Sequence, residues 1–165
     1  FVPAENLIGA EEGHGFVQIM KNLPLERLTI GVAAAAAAQA GFAWTLEYVK
    51  SREAFGERIA DFQNTRFRLA DLAVTVDVIW AYIDLAITLY GEGALTPEEA
   101  AKVKFWTTER EWEVLDTCVQ LHGGYGYITE YPIARAFLDA RVHRSYGGTN
   151  EIMREIVGRQ LAGRR

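Results

Sequence analysis

Between residues 61 and 90, Leu69, Leu72, Val76, Ile79, Ile83 and Ile87 recur at steps of three and four, and Arg66, Arg68, Asp77 and Asp84 fall between them. That spacing lays one apolar stripe along an α-helix of about eight turns, with the charges on the solvated side. Residues 23–51 predict a second long helix by composition. They are rich in alanine and hold no proline after Pro24, which a helix tolerates in its first turn. The small side chains there let neighbouring helices come close. Upstream, Pro3 and Gly9 mark residues 1–12 as an irregular lead-in to a short helix over 13–22.

Gly91-Glu92-Gly93 stops the helix over 61–90. Thr96-Pro97-Glu98-Glu99 restarts the chain with an N-cap, a proline at the first helical position and acids that suit the helix dipole. The third long helix covers 97–122, with Val103, Trp106, Arg110, Val114, Cys118 and Leu121 as its inner face, and Gly123-Gly124 ends it. After a turn through Tyr131-Pro132 come a shorter helix over 133–139, the Gly147-Gly148 turn and a last helix over 149–161. No strand-length alternation competes with these elements. The fold class expected is all-α, an antiparallel helical bundle of three long helices plus short ones. The lead-in and short helix occupy 1–22 and the bundle 23–165.

Half of the 165 residues are hydrophobic and 24% are charged, the profile of one globular domain with a sizeable core. A net charge of -5 with no basic stripe argues against nucleic acid as a partner. Residues 28–46 carry no charge and are long enough to cross a bilayer, so a membrane span has to be weighed. Eight of these 19 are alanine, with Thr29, Gly31, Gln39, Gly41 and Thr45 among the rest, which falls short of a Leu- and Ile-rich span. A buried central helix is expected instead, and no span. The opening Phe1-Val2-Pro3-Ala4-Glu5-Asn6 lacks the charged and apolar regions of a leader and reads as a point inside a longer protein. The single cysteine, Cys118, fits a core position and a reducing compartment: cytoplasm in a bacterium, mitochondrial matrix in a eukaryote. His14 and His143 have no metal-ligating partners at useful spacing, and no metal is expected.

Three ordered motifs carry a resemblance. They are Tyr146-Gly147-Gly148-Thr149-Asn150-Glu151-Ile152-Met153-Arg154; Arg52-Glu53-Ala54-Phe55-Gly56 followed by Phe62-Gln63; and Val119-Gln120-Leu121-His122-Gly123-Gly124-Tyr125-Gly126-Tyr127. Together they resemble the C-terminal helical part of acyl-CoA dehydrogenases, most like the long-chain-specific members. The resemblance implies that the family's N-terminal helical and middle β domains lie outside this chain. It also implies FAD as cofactor, an acyl-CoA substrate, a homo-oligomer (dimer or dimer of dimers) sharing FAD across subunits, and an electron-transfer flavoprotein as acceptor.

Such an enzyme takes a proton from the carbon beside the thioester carbonyl while a hydride leaves the next carbon for the flavin. The base has to be a carboxylate made stronger by a water-poor pocket. In most members it is the second residue of a Tyr-Glu-Gly-Thr loop, which here is Gly147. The resemblance offers a second solution, a base on the first long helix beside an arginine, and Leu25-Glu26-Arg27-Leu28 matches it. Glu26 is therefore the expected base, with Arg27 beside it. The plain alternative is a solvated first-turn acid with a surface arginine for a partner. Glu151 is the competing base.

For the cofactor, the resemblance assigns Arg52, Phe55 and Gln63 to the ADP part of an FAD held mainly by the neighbouring subunit. Ala54 departs from the threonine or serine often found in that motif. The plain alternative for Arg52 is a helix-end arginine on terminal carbonyls. Gln120, Gly123 and Gly124 correspond to positions that meet the ribityl and pyrophosphate side, and they are equally a glycine helix stop. Thr149, which also caps the last helix, and Glu151 are assigned to FAD. Tyr146 is assigned to the acyl pocket, and the N–H of Gly147 to polarising the thioester oxygen. His122 and Tyr125 read as structural. The rival functions are a non-catalytic oligomerisation protein of the same fold, for which Gly147 is the best argument, and an acyl-CoA oxidase.

Overall fold

The computed structural model describes residues 1–9 and 11–163. A short 3₁₀ turn, Ala4–Asn6, leads into α1 (Gly15–Ser51). A two-stranded hairpin, β1 (Glu53–Ala54) and β2 (Glu57–Arg58), connects α1 to α2 (Gln63–Gly91). Then come α3 (Pro97–His122), α4 (Pro132–His143) and α5 (Asn150–Leu161). The all-α bundle of three long helices with shorter ones is as expected from the pattern.

The short helix over 13–22 and the long one from 23 are in fact one helix, so no break separates lead-in from bundle at residue 22. Pro24 lies inside it. A proline there removes one backbone hydrogen bond, to the carbonyl of Met20. Met20 is exposed, so that carbonyl is not orphaned in a dry interior. The hairpin is the other difference, and two-residue strands are too short to leave an alternation. Its turn residues Phe55 and Gly56 both have positive φ, 56° and 83°, the geometry of a tight hairpin turn.

Helix α1 is the central member and packs along α3. Ala34, Ala35 and Ala38 are fully buried, and Gly31 leaves room for Val103 and Ile83, which would lie 3.0 and 3.2 Å from a Cβ there. The core between α1, α2 and α3 is Leu28, Leu72, Val76, Ile79, Ile83, Val103, Val114, Leu115 and Cys118, closed by Ile133 from α4. Burial raises the Cys118 thiol to about 11, as befits a core cysteine. By length and composition α1 and α2 could each cross a membrane. The centre of α1 is the core of the bundle, and α2 turns Arg66, Arg68, Asp71, Asp77 and Asp84 outward.

Two predicted faces need correction. On α2, Ile87 is exposed and Ala86 is buried in its place, while Leu69 is only half-buried. On α3, Trp106, Arg110 and Leu121 are half-buried, whereas Lys104, Thr107, Thr108 and Glu111 are fully buried. Helix α3 is covered by α1 and α2 on one side and by α4 and α5 on another, so its buried arc is wider than a single stripe.

Candidate functional site

The predicted residues gather at two places, one in the first half of α1 and one at its C-terminal end. At the first, Glu26 and Arg27 meet the turn before α5. The turn is possible because Gly147 and Gly148 adopt φ of 66° and 99°, which L side chains rarely take. Arg27 is buried and donates from Nε to the carbonyl of Gly147 at 3.2 Å. It is not a surface partner of Glu26, and among the described residues no ion pair joins the two. Burial lowers the Arg27 guanidinium below its ordinary pKa, and the charge of Glu26 partly offsets this.

Within this chain Glu26 is exposed beside the turn and not in the water-poor pocket expected of the base, with its Oε1 3.8 Å from where a Cβ on Gly147 would lie. That same Cβ would collide with Cδ1 of Ile30, which fills the space. Glu26 also borders an apolar groove of about 730 Å³ formed with Val2, Leu7, Ile8 and Ile19. Gln18 holds the lead-in over this groove by donating to the carbonyl of Ile8 at 3.0 Å.

Thr149 caps α5, its hydroxyl accepting from the N–H of Ile152 at 3.4 Å. Glu151 stands on the exposed first turn, and hydrogen bonds from its own backbone N–H and from Thr149 hold its carboxyl below the usual carboxylate range. Tyr146 is partly exposed with its ring 5.4 Å from that of His143. His143 in turn contacts the fully buried Glu111 at 2.9 Å through Nδ1. Burial raises the Glu111 carboxyl, and His143 opposes the shift.

Sequence reasoning passed over the support beneath the turn. Lys104 donates to the carbonyl of Gly148 at 2.9 Å and to Oδ1 of Asn150 at 2.8 Å. Asn150 donates to Thr108 and to Glu109, each at 3.0 Å, and Glu109 also pairs with Arg144 and Arg154. The signal was present: Lys104, Thr107, Thr108 and Glu111 follow the i, i+3, i+4, i+7 rhythm of a buried face, written in polar residues.

At the C-terminal end of α1, Arg52, Phe55, Gln120, Gly123 and Gly124 line one open groove of about 910 Å³ with Tyr48, Phe62 and Tyr125. Gln63 is exposed between the lining residues Phe62 and Asn64 and is not itself part of the wall. Arg52 does more than cap α1, since its guanidinium lies 5.2 Å from the centre of the Tyr125 ring. Phe55 is fully exposed in left-handed backbone, an arrangement that costs about 1–3 kcal/mol for a side chain of this kind. Nothing lies within 4 Å of a Cβ placed on Gly123 or Gly124, so a ligand can approach the main chain closely.

Beneath the groove, His122 stacks on Tyr48 with ring centres 4.2 Å apart and takes the carbonyl of Cys118 at 2.8 Å. Burial lowers its pKa, and the hydrogen bond to the Cys118 carbonyl opposes the shift. Tyr125 and Tyr131 complete that aromatic cluster. An arginine, an outward aromatic and bare glycine backbone suit a phosphate-linked nucleotide such as the ADP part of FAD. Glu26 and Arg52 are 26 positions apart on α1, about 39 Å at the helical rise.

The sequence model described as acyl-CoA dehydrogenase, C-terminal domain, matches residues 13–162. The mitochondrial long-chain specific acyl-CoA dehydrogenase of Sus scrofa is 44% identical over 160 residues, covering 97% of this chain and 37% of that protein. Subunit CarC of the caffeyl-CoA reductase-Etf complex of Acetobacterium woodii is 36% identical over 160 residues, covering 97% and 42%. The crystal structure of acyl-CoA dehydrogenase from Geobacillus kaustophilus superposes with a TM-score of 0.92 at 44% identity, over 97% of this chain and 42% of that one. The chain thus spans about two fifths of the length of these relatives.

Proposed function

The chain belongs to the acyl-CoA dehydrogenase family, as its C-terminal domain, and from that premise we propose that it serves FAD-dependent α,β-dehydrogenation of acyl-CoA thioesters with Glu26 as the base. The observation that carries this reading is the meeting of Glu26 with Gly147 while Ile30 fills the space a side chain at 147 would need. The carboxylate is supplied to the loop from α1 instead of from the loop itself. It takes the proton from the carbon beside the thioester carbonyl. The turn keeps its main-chain donors, and an N–H aimed at the thioester oxygen stabilises the charge that builds there. Bound FAD supplies the redox chemistry by accepting the hydride from the next carbon.

Arg52, Phe55 and Gln63 would hold the ADP part, Gln120, Gly123 and Gly124 the ribityl and pyrophosphate side, and Thr149 and Glu151 the flavin side. Glu26, beside the flavin-side set, and Arg52 stand about 39 Å apart along α1. This favours a homo-oligomer in which each FAD lies between subunits, and it disfavours an oligomerisation protein without a site. Long acyl chains are the proposed substrates, from the 44% identity to the long-chain relative. An electron-transfer flavoprotein is the proposed acceptor, in line with the Etf complex named for the Acetobacterium relative. A reducing cytoplasm or mitochondrial matrix is the proposed setting.

A thioester analogue whose β-carbon is replaced by sulfur cannot give up a hydride, so its α-proton exchange reads the base alone. In D₂O the full-length protein should exchange that proton, and Glu26→Gln should slow it by about 10²–10⁴-fold, the usual worth of a general base. Glu151→Gln should leave it within a few-fold. Exchange unchanged in Glu26→Gln would remove Glu26 from the mechanism.

A further inference from the structure

We propose that Lys104 is a positioning residue of the thioester site, holding the Gly147-Gly148 turn from inside the bundle so that the N–H groups of Gly148 and Thr149 face outward. The proposal rests on the acyl-thioester reading above. Lys104 is fully buried and donates to Gly148 O at 2.9 Å and Asn150 Oδ1 at 2.8 Å. From α1, the buried Arg27 takes the preceding carbonyl, Gly147 O, at 3.2 Å. Two cations from two helices thus hold two successive carbonyls.

A trans peptide is planar with its C=O and N–H antiparallel, so drawing these carbonyls inward turns the N–H groups of Gly148 and Thr149 away from the bundle. No hydrogen bond among the described residues uses the N–H of Gly147, Gly148 or Thr149. Successive N–H groups on a glycine turn form a concavity for negative charge, such as grows on a thioester oxygen during α-proton removal.

An apolar side chain could fill the space beneath the turn, but only a donor fixes its carbonyls, and a charged donor makes hydrogen bonds about twice as strong as a neutral one. The groups facing Lys104 are Arg27 from α1, Glu109 from α3, Arg144 at the end of α4 and Glu151 from α5. Burial lowers its amine to about 8, Arg27 and Arg144 acting in the same direction and the two glutamates against it.

The test uses the full-length flavoprotein and an aryl-acryloyl-CoA, whose absorption moves to longer wavelength when the thioester carbonyl is polarised. Lys104→Met keeps an unbranched chain of similar length. The variant should retain FAD and bind the probe within a few-fold. It should lose most of the red shift, and with a saturated acyl-CoA kcat should fall about 10²–10³-fold at nearly constant KM, as when one oxyanion donor is removed. In wild type the red shift should decline as pH rises through about 8, a step absent from the variant.

Full red shift and full kcat in Lys104→Met would overturn the proposal. If that variant does not fold, Lys104→Leu, another side chain without a donor, takes its place, and a full red shift there overturns the proposal equally. A wild-type protein that leaves the probe band unmoved would instead refute the thioester reading itself.

Discussion

Gly147 and Ile30 divide one small space between them, and this explains why the base cannot simply be moved. Gly147→Glu in a Glu26→Gln background should recover little activity while Ile30 is present, because its Cβ meets Ile30 Cδ1. Trimming the neighbour as well, with Ile30→Ala, should restore measurable flavin reduction by acyl-CoA. Rescue by Gly147→Glu alone would show that the space is not closed. Lys104 makes a second prediction at this scale. Its folded pKa of about 8 lies below the ordinary 10.5, so the unfolded chain binds the proton more tightly. The stability it contributes is therefore least below pH 8 and rises as pH climbs from about 8 to about 10.5. Thermal melts across that range should show wild type gaining on Lys104→Met, while the function of the turn declines. The Glu26-Arg27 pair and the double glycine were legible in the sequence by resemblance. Lys104 and Glu111 keep the rhythm of a buried face with Thr107 and Thr108, but a lysine or glutamate in a helix reads as solvated until a second layer is known to cover it.

Among the elements, α1 shows what a local rule misses. Pro24 was read as a helix start because proline favours that position, yet the helix runs through it from Gly15. Pro24→Ala returns one hydrogen bond to an exposed turn and should stabilise the protein by about 1–3 kcal/mol in urea unfolding. A loss of stability would mean that the proline fits a shape alanine cannot keep. Farther along, Gly31 and Gly41 let α3 lie close. Gly31→Leu, pushed against Val103 and Ile83, should destabilise by about 1–3 kcal/mol or more as an overpacked core. The long helices could be read from periodicity and the glycine stops around them. The β1–β2 hairpin could not, since its information lies in two backbone angles at Phe55 and Gly56.

At the scale of the whole molecule, the proposed sharing of FAD between subunits means that a working site would draw on two chains. Glu26→Gln and Arg52→Ala would each inactivate a homo-oligomer of the full-length protein. In a mixed oligomer, the subunit with intact Glu26 meets its partner's intact Arg52, and one wild-type site is rebuilt. Coexpressed variants should recover up to about half the activity per mixed pair, as expected for symmetric interfaces that exchange the same contacts. No recovery would place both half-sites on one FAD within one chain. Periodicity and composition made the class of fold visible, whereas the proposed division of labour between subunits rests on the family resemblance.

The central claim is that the base stands on α1, and anaerobic bleaching of the flavin band by a long-chain acyl-CoA in the full-length protein tests it most directly. Wild type and Glu151→Gln should bleach within one turnover, whereas Glu26→Gln should keep its FAD and stay oxidised, slower by about 10²–10⁴-fold. Normal bleaching in Glu26→Gln, or its loss in Glu151→Gln alone, would contradict the account.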